Sequence, residues 1–143
     1  MKGVILRRAK VVVGGMTVGR ALISSQPITF FGGVDPRTGE VVEVGHEMRG
    51  ERLSRKVLIF PHGKGSTVGT YVLYGLAKRG VAPAAIINGR FDAIIASGCI
   101  ISGIPLLIAP WRSLGRIRKG DVVRIDGRCG RIEVLGRGPR TRP

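Results

Sequence analysis

The chain has 143 residues, a length that favours a single domain, and 43% of them are apolar. This composition predicts a folded globule with its own core and excludes a disordered chain. The formal net charge of +15, from 24 Lys and Arg against nine Asp and Glu, raises nucleic-acid binding as a hypothesis, but aromatic residues make up only 5%, which is little for a base-stacking surface.

Short runs of β-branched and other apolar residues predict a strand-rich domain. In the first half of the chain, strands are expected over residues 3–6, 10–13, 20–24, 40–44 and 56–60. In the second half, strands are expected over residues 84–88 and 104–108, followed by a hairpin of 121–126 and 131–135. Residues 91–101 are ambiguous between a short helix and a strand. We interpret 1–135 as one domain and 136–143 as a basic, frayed tail.

One helix has clear sequence boundaries, over residues 66–79. Its apolar residues recur at helical spacing, Ser66 or Thr67 can cap its start, and Gly80 can end it. It follows the apolar strand 56–60 and a glycine-rich turn, and these three pieces form half of an α/β unit. The predicted fold class is therefore a β-rich α/β domain with one main helix after the glycine-rich turn.

The strongest candidate site is that turn, which reads Pro-His-Gly-Lys-Gly-Ser-Thr over residues 61–67. Glycines let the backbone approach a ligand, and the first N–H groups of a helix are unpaired, so the turn can bind phosphate or carboxylate. Lys64 adds a cation, and Ser66 and Thr67 add hydroxyls. With these donors around it, an alkoxide on Ser66 could act as a base. The alternative is a capped helix after a plain turn, because Gly-Lys-Gly does not fit a Walker A loop.

A second, weaker candidate is the Phe-Gly-Gly-Val-Asp-Pro run over residues 31–36. Gly32 and Gly33 could bring a main-chain edge to a ligand, whereas the alternative is a plain loop with an Asx-type turn. The acidic segment 35–51, which holds five of the nine acids, lies beside this candidate site.

Cys99 and Cys129 match neither a zinc-site spacing nor a CxxC pair, so we predict two free thiols and no metal ion on this chain, with a disulfide as the alternative. Residues 93–111 carry no charge and have the length of a membrane span. Their glycines and prolines favour two short buried elements joined by a turn. We therefore expect a cytoplasmic protein without a membrane partner.

Three segments together, residues 25–39, 63–67 and 80–87, resemble the small subunits of the aconitase X family. The pairing of Phe-Gly-Gly-Val-Asp-Pro-x-Thr-Gly with a later Gly-x-Gly-Ser is fairly specific, and the resemblance covers about residues 3–126. It implies a swivelling β/β/α domain and a large partner subunit that holds an iron–sulfur cluster, expected to be 4Fe-4S. Family members often have Arg at the position of Lys64 and Trp at that of Phe31.

The resemblance also implies a reaction, the dehydration of (R)-5-phosphomevalonate to trans-anhydromevalonate 5-phosphate in an archaeal mevalonate pathway. The enzyme would be a hydro-lyase that is active only with its large subunit. Ser66 falls at the position of the family's serine base. The residues expected to line the site of this small anionic substrate are Lys64, Gly65, Thr67, Gly32 and Gly33. Part of the positive charge would then serve to steer the anion.

Two other hypotheses remain. Phosphohistidine swivel domains share the glycine-rich turn, a Gly-Ile-Pro strand start (here 103–105) and a Gly-Asp…Asp-Gly hairpin (here 120–127), but His62 precedes the glycines. A basic RNA- or ribosome-binding module would use the arginine-rich residues 112–142. Basic residues there alternate with core residues and form no RNA-binding motif, so we expect no nucleic-acid partner. Solvent or an acidic partner subunit would account for the same charge.

Overall fold

The computed structural model describes residues 3–138, which form an eight-stranded sheet and three helices. The strands are β1 (Gly3–Leu6), β2 (Lys10–Val13), β3 (Met16–Ile23), β4 (Val57–Phe60), β5 (Ala85–Asn88), β6 (Leu106–Ile108), β7 (Val122–Asp126) and β8 (Arg131–Gly136). The helices are α1 (Gly69–Lys78), α2 (Ala93–Ser102) and α3 (Trp111–Leu114). The strands are ordered β1-β8-β7-β3-β4-β5-β6-β2 across the sheet.

The sheet has an antiparallel portion and a mainly parallel portion, and strand β3 belongs to both. Its residues 16–20 pair antiparallel with β7, and its residues 21–23 pair in parallel with β4. The parallel strands β4 and β5 are buried along their whole length, as strands covered on both faces are. The core on one face joins them to α1 and α2 and includes Leu58, Phe60, Leu73 and Ile95. The core on the other face packs these strands against β7 and β8 and includes Val57, Ile59, Val123 and Ile132. The strands β4 and β5 thus lie between a second layer of strands and the helices α1 and α2, an arrangement of layers written β/β/α.

Helix α1 follows β4 as predicted but begins at Gly69 rather than at residue 66. The Ser66 carbonyl accepts the Gly69 N–H at 3.0 Å, and the Ser66 hydroxyl accepts the Val68 N–H at 3.1 Å. These two bonds close a tight turn before the helix, which is why the predicted start is three residues early. The end agrees with the prediction, since Gly80 has the left-handed φ of 72° that stops a helix.

The ambiguous segment 91–101 forms most of a second ten-residue helix, α2. The Asp92 carboxylate caps it, accepting the N–H groups of Ile94 and Ile95 at 2.8 and 3.1 Å. Gly103, with φ 71°, ends the helix and leads to β6. The uncharged stretch is thus two short elements joined by a glycine turn, as predicted. Within residues 3–138, every helix is too short or too polar to cross a membrane.

The predicted strand over residues 40–44 is wrong. The segment forms only isolated bridges, between Val34 and Val41 and between Glu40 and Arg52. Its alternating pattern is real, because Val41 is buried and Val42 exposed, but the loop finds no neighbouring strand with which to build a ladder. The predicted strand over 20–24 starts earlier, at Met16, and α3 was not predicted.

The closing hairpin of β7 and β8 forms as predicted, with β8 extending to Gly136. Just beyond it, the Gly138 N–H and the Arg137 guanidinium both donate to the buried Asp121 carboxylate. Burial opposes ionisation of this group, but these bonds and one from the Arg118 N–H lower its pKa. Of the predicted tail 136–143, residues 139–143 lie outside the described residues.

Candidate active site

The glycine-rich turn is fixed to the loop that follows β3. The Lys64 N–H donates to the Ile28 carbonyl at 3.0 Å, and the Ile28 N–H donates to the His62 carbonyl at 3.3 Å. At Gly63 a Cβ would lie 2.8 Å from Cγ1 of Ile95 on α2. The turn therefore passes between this loop and α2 with no space for a larger residue at Gly63.

Thr29 brings the two glycine segments of the sequence analysis together. Gly65 has a φ of 84°, and a Cβ there would lie 2.4 Å from Thr29 Oγ1. A Cβ at Gly33 would lie 2.2 Å from the Thr29 carbonyl oxygen. Both segments thus pack on the same residue, so the two candidate sites are adjacent. Sequence reasoning did not single out Thr29, because a lone threonine in a loop carries no signal.

An ion pair links this site to the acidic segment. The Lys64 ammonium lies 3.0 Å from Oε2 of Glu43, with 45% and 23% of the two side chains exposed. The N–H groups of Val42 and Glu43 both donate to the Gly33 carbonyl, at 2.9 and 3.2 Å. The other carboxylate oxygen of Glu43 is buried and has no hydrogen-bond partner within residues 3–138. Glu43 therefore contacts both glycine segments, a role that the sequence analysis did not assign.

Ser66 lies exposed at the tip of the turn. Its hydroxyl oxygen accepts the Val68 N–H, a bond that would stabilise an alkoxide. The backbone N–H groups of Gly65, Ser66 and Thr67 find no acceptor among the described residues, and all three residues are exposed. Unpaired N–H groups just before a helix favour an anion. The turn therefore presents a hydroxyl and several anion-binding donors to solvent.

Both histidines are bound to the backbone. His62 Nδ1 lies 2.7 Å from the Gly63 carbonyl oxygen, which can only accept, so this nitrogen is the donor. The buried His46 accepts the Met48 N–H at Nδ1 and contacts the Pro27 carbonyl through Nε2, each at 3.1 Å. These bonds tie both rings to the loops that carry them.

The described part of the chain holds no group of three or more His, Cys, Asp or Glu side chains that could bind a metal ion. Cys99 is buried in α2, where burial raises the pKa of its thiol to about 12, and Cys129 is exposed. Neither forms a disulfide within residues 3–138. The side chains present therefore do not fit an iron–sulfur cluster.

Comparison with known proteins accounts for the fold. Residues 6–134 match the family described as the aconitase X swivel domain. The chain belongs to this family. The family match agrees with the resemblance inferred from the sequence and with the β/β/α layers.

Two relatives named phosphomevalonate dehydratase small subunit are similar over nearly their whole length. The protein of Methanocella arvoryzae is 51% identical, over 86% of this chain and 94% of its own. That of Pyrococcus furiosus is 43% identical, over 89% of this chain and 93% of its own. The crystal structure of Thermococcus kodakaraensis aconitase X in its holo-form superposes with a TM-score of 0.85 at 42% identity, covering 90% of this chain and 96% of that one.

Proposed function

We propose that this chain is the small subunit of a heteromeric phosphomevalonate dehydratase, a hydro-lyase of the archaeal mevalonate pathway. The enzyme removes water from (R)-5-phosphomevalonate to give trans-anhydromevalonate 5-phosphate. The observation that carries the proposal is the Ser66 turn, with its unpaired N–H groups, in a chain that matches the named small subunits over more than nine-tenths of their length.

This chain supplies the base. Dehydration breaks a C–H bond beside the carboxylate, forms a carbon–carbon double bond and releases the hydroxyl of the next carbon, so that proton and hydroxyl together make water. Ser66 Oγ takes the proton. The Val68 N–H and the neighbouring N–H donors stabilise the negative charge that the hydroxyl carries while it does so.

The rest of the turn binds the substrate anion. The residues assigned to this role are Lys64, Gly65, Thr67, Gly32 and Gly33. Backbone N–H groups and one ammonium suit the oxygens of a carboxylate or a phosphate. Among residues 3–138, the carboxylate of Glu43 is paired with Lys64 and the ring of His62 is bound to the Gly63 carbonyl. We therefore assign the departure of the hydroxyl to the partner.

The partner is a large subunit that holds the iron–sulfur cluster, which we take to be 4Fe-4S. The cluster supplies Lewis-acid chemistry to the departing hydroxyl when it is bound. The described residues of this chain fit no such cluster, so its ligands come from the large subunit. The assembled enzyme works in the cytoplasm, and each subunit alone is inactive.

The test is the Ser66→Ala variant in the complex co-expressed with the large subunit from the same genome. Loss of a general base lowers kcat by about 10²–10⁴-fold, while the yield of complex and the visible absorption of its cluster stay unchanged. Ser97→Ala, at an exposed serine on α2, is the matched control and keeps wild-type activity. Substantial turnover by Ser66→Ala would overturn the role of Ser66, and a wild-type complex without dehydratase activity would overturn the function.

A further inference from the structure

A cleft of about 780 Å³ runs beside the Ser66 turn, between α1 and the loop that contains Gly32. Its apolar lining comes from both sides, and these side chains are Phe31, Val34, Val42, Val68, Tyr71 and Val72. The cleft thus continues the candidate active site along one face of α1, since Val68 lies two residues from Ser66 and Gly32 adjoins Gly33.

Much of this apolar lining faces solvent. Tyr71 is 68% exposed, Phe31 54% and Val68 44%. Clusters of exposed apolar residues that line one concavity are typical of interaction sites, whereas scattered ones are not. Tyrosine and phenylalanine are also enriched at the centres of protein interfaces. The lining of the cleft is therefore typical of a surface that binds a segment of another protein.

The rim of the cleft is positively charged. Arg37 and Arg79 line it, both are exposed, and neither forms an ion pair within residues 3–138. The one acid in the lining, Asp35, uses Oδ1 to accept the Arg37 backbone N–H at 2.8 Å. The Arg79 guanidinium donates only to the Gly75 carbonyl, at 3.5 Å. Two guanidinium groups that have no carboxylate partner within residues 3–138, beside an apolar surface, favour an occupant that carries carboxylates.

We propose that this cleft is the docking surface for the large subunit, which inserts an apolar segment flanked by Asp or Glu side chains. The proposal rests on the proposed function, which supplies the partner. A segment seated on Tyr71 and Phe31 brings the large subunit against the edge of the Ser66 turn. The same contact would enclose the substrate site and bring the groups of both subunits together there.

The test measures the dissociation constant of the purified large subunit for variants of this chain. Tyr71→Asp places a charge in the centre of the cleft and weakens binding by at least about thirtyfold, as loss of an interface hot spot does. Ile100→Asp is the matched control, since Ile100 is 61% exposed on α2 and does not line the cleft, and it binds like wild type. Both substitutions are at exposed positions, and circular dichroism checks that the variants fold.

A second variant tests the charge of the occupant. Arg37→Glu slows association and lowers affinity about tenfold at low salt, with a smaller effect at high salt. If Tyr71→Asp and Arg37→Glu both bind like wild type, the docking surface is elsewhere, although the proposed function stands. If Tyr71→Asp instead abolishes a dimer of this chain alone, a second copy occupies the cleft and the proposal is wrong. Absence of any complex with the wild-type chain would contradict the proposed function itself.

Discussion

The carboxylate of Glu43 lies 3.0 Å from the ammonium of Lys64 and joins two loops that are 21 residues apart in the chain. Lys64 is the one side-chain cation of the proposed anion site, so it already has a negative partner before substrate arrives. Both side chains are partly exposed, and such pairs contribute little to stability. We therefore expect Glu43 to compete with the substrate for Lys64 rather than to serve mainly in holding the fold.

Replacing this carboxylate should tighten substrate binding. In the assembled enzyme, Glu43→Gln lowers the KM for phosphomevalonate by up to about fivefold and leaves kcat nearly unchanged, because a half-exposed ion pair is worth about 0.2–1 kcal/mol. Lys64→Ala raises KM, whereas Lys64→Arg largely preserves it. Steady-state kinetics measure all three variants. A KM for Glu43→Gln as high as that of Lys64→Ala would show that Glu43 holds Lys64 in place instead.

A side chain at Gly65 should distort the site. In Gly65→Ala, the left-handed backbone of this position costs about 1–2 kcal/mol of folding free energy. The added Cβ would also lie 2.4 Å from Thr29 Oγ1. Gly80→Ala is the matched control, since Gly80 has a φ of 72° but nothing within 4 Å of its Cβ position. We expect Gly65→Ala to be the less stable of the two in urea unfolding, and only Gly65→Ala to raise KM. Equal stabilities would mean that Thr29 moves aside freely.

The cap of α2 should make a measurable contribution to stability. Asp92→Ala leaves the N–H groups of Ile94 and Ile95 without their acceptor and lowers the free energy of unfolding by about 1 kcal/mol. For a domain of this size, the loss corresponds to a fall in Tm of about 2–4 °C. Asp92→Asn keeps an acceptor oxygen and should cost much less. Calorimetry that shows equal losses for both variants would assign the effect to charge rather than to capping.

The buried Asp121 should make stability depend on pH. It is 1% exposed, and its pKa is lowered from the ordinary value of 3.8. Asp121→Asn lowers the free energy of unfolding at neutral pH by about 1.5–3 kcal/mol, the contribution of hydrogen bonds to a charged group. A lowered folded pKa stabilises the protein above the unfolded pKa, and this stabilisation is lost as the pH falls through the folded pKa.

The difference between wild type and Asp121→Asn in urea unfolding should therefore shrink under strongly acidic conditions. Glu51→Gln is the control, because Glu51 and its partner Lys119 are both substantially exposed, and it changes stability by less than about 0.5 kcal/mol. A difference for Asp121→Asn that stays constant from neutral to acidic pH would contradict the role of its charge.

Local sequence patterns predicted an element correctly where the residues of that element alone specify it. The run of Val57–Phe60 and the glycines after it predict β4, the turn and α1 in the right order. The sequence left helix α2 ambiguous because this helix packs on α1 and on the sheet and is apolar on nearly all sides. A helix of this kind has no clear helical periodicity of apolar residues. Asp92, directly before it, was the available signal for a helix start.

Only the separate segments of the candidate site could be predicted from the sequence. The Ser66 turn follows from local sequence, but its contacts with Thr29 and Glu43 depend on how the loop after β3 folds back over the domain. Such contacts are set by tertiary packing rather than by any local period. The same reason explains why residues 40–44 alternate like a strand without pairing as one.

The continuity of β3 bears on how a swivel domain can move. One unbroken strand carries the ladder to β7 at its first residues and the ladder to β4 at its last, and β4 leads directly into the Ser66 turn. Bending the domain between its two β layers would break main-chain hydrogen bonds of a shared strand. The chain should therefore respond to substrate as one rigid body, and we expect any hinge of the proposed enzyme to lie outside the two β layers that β3 joins.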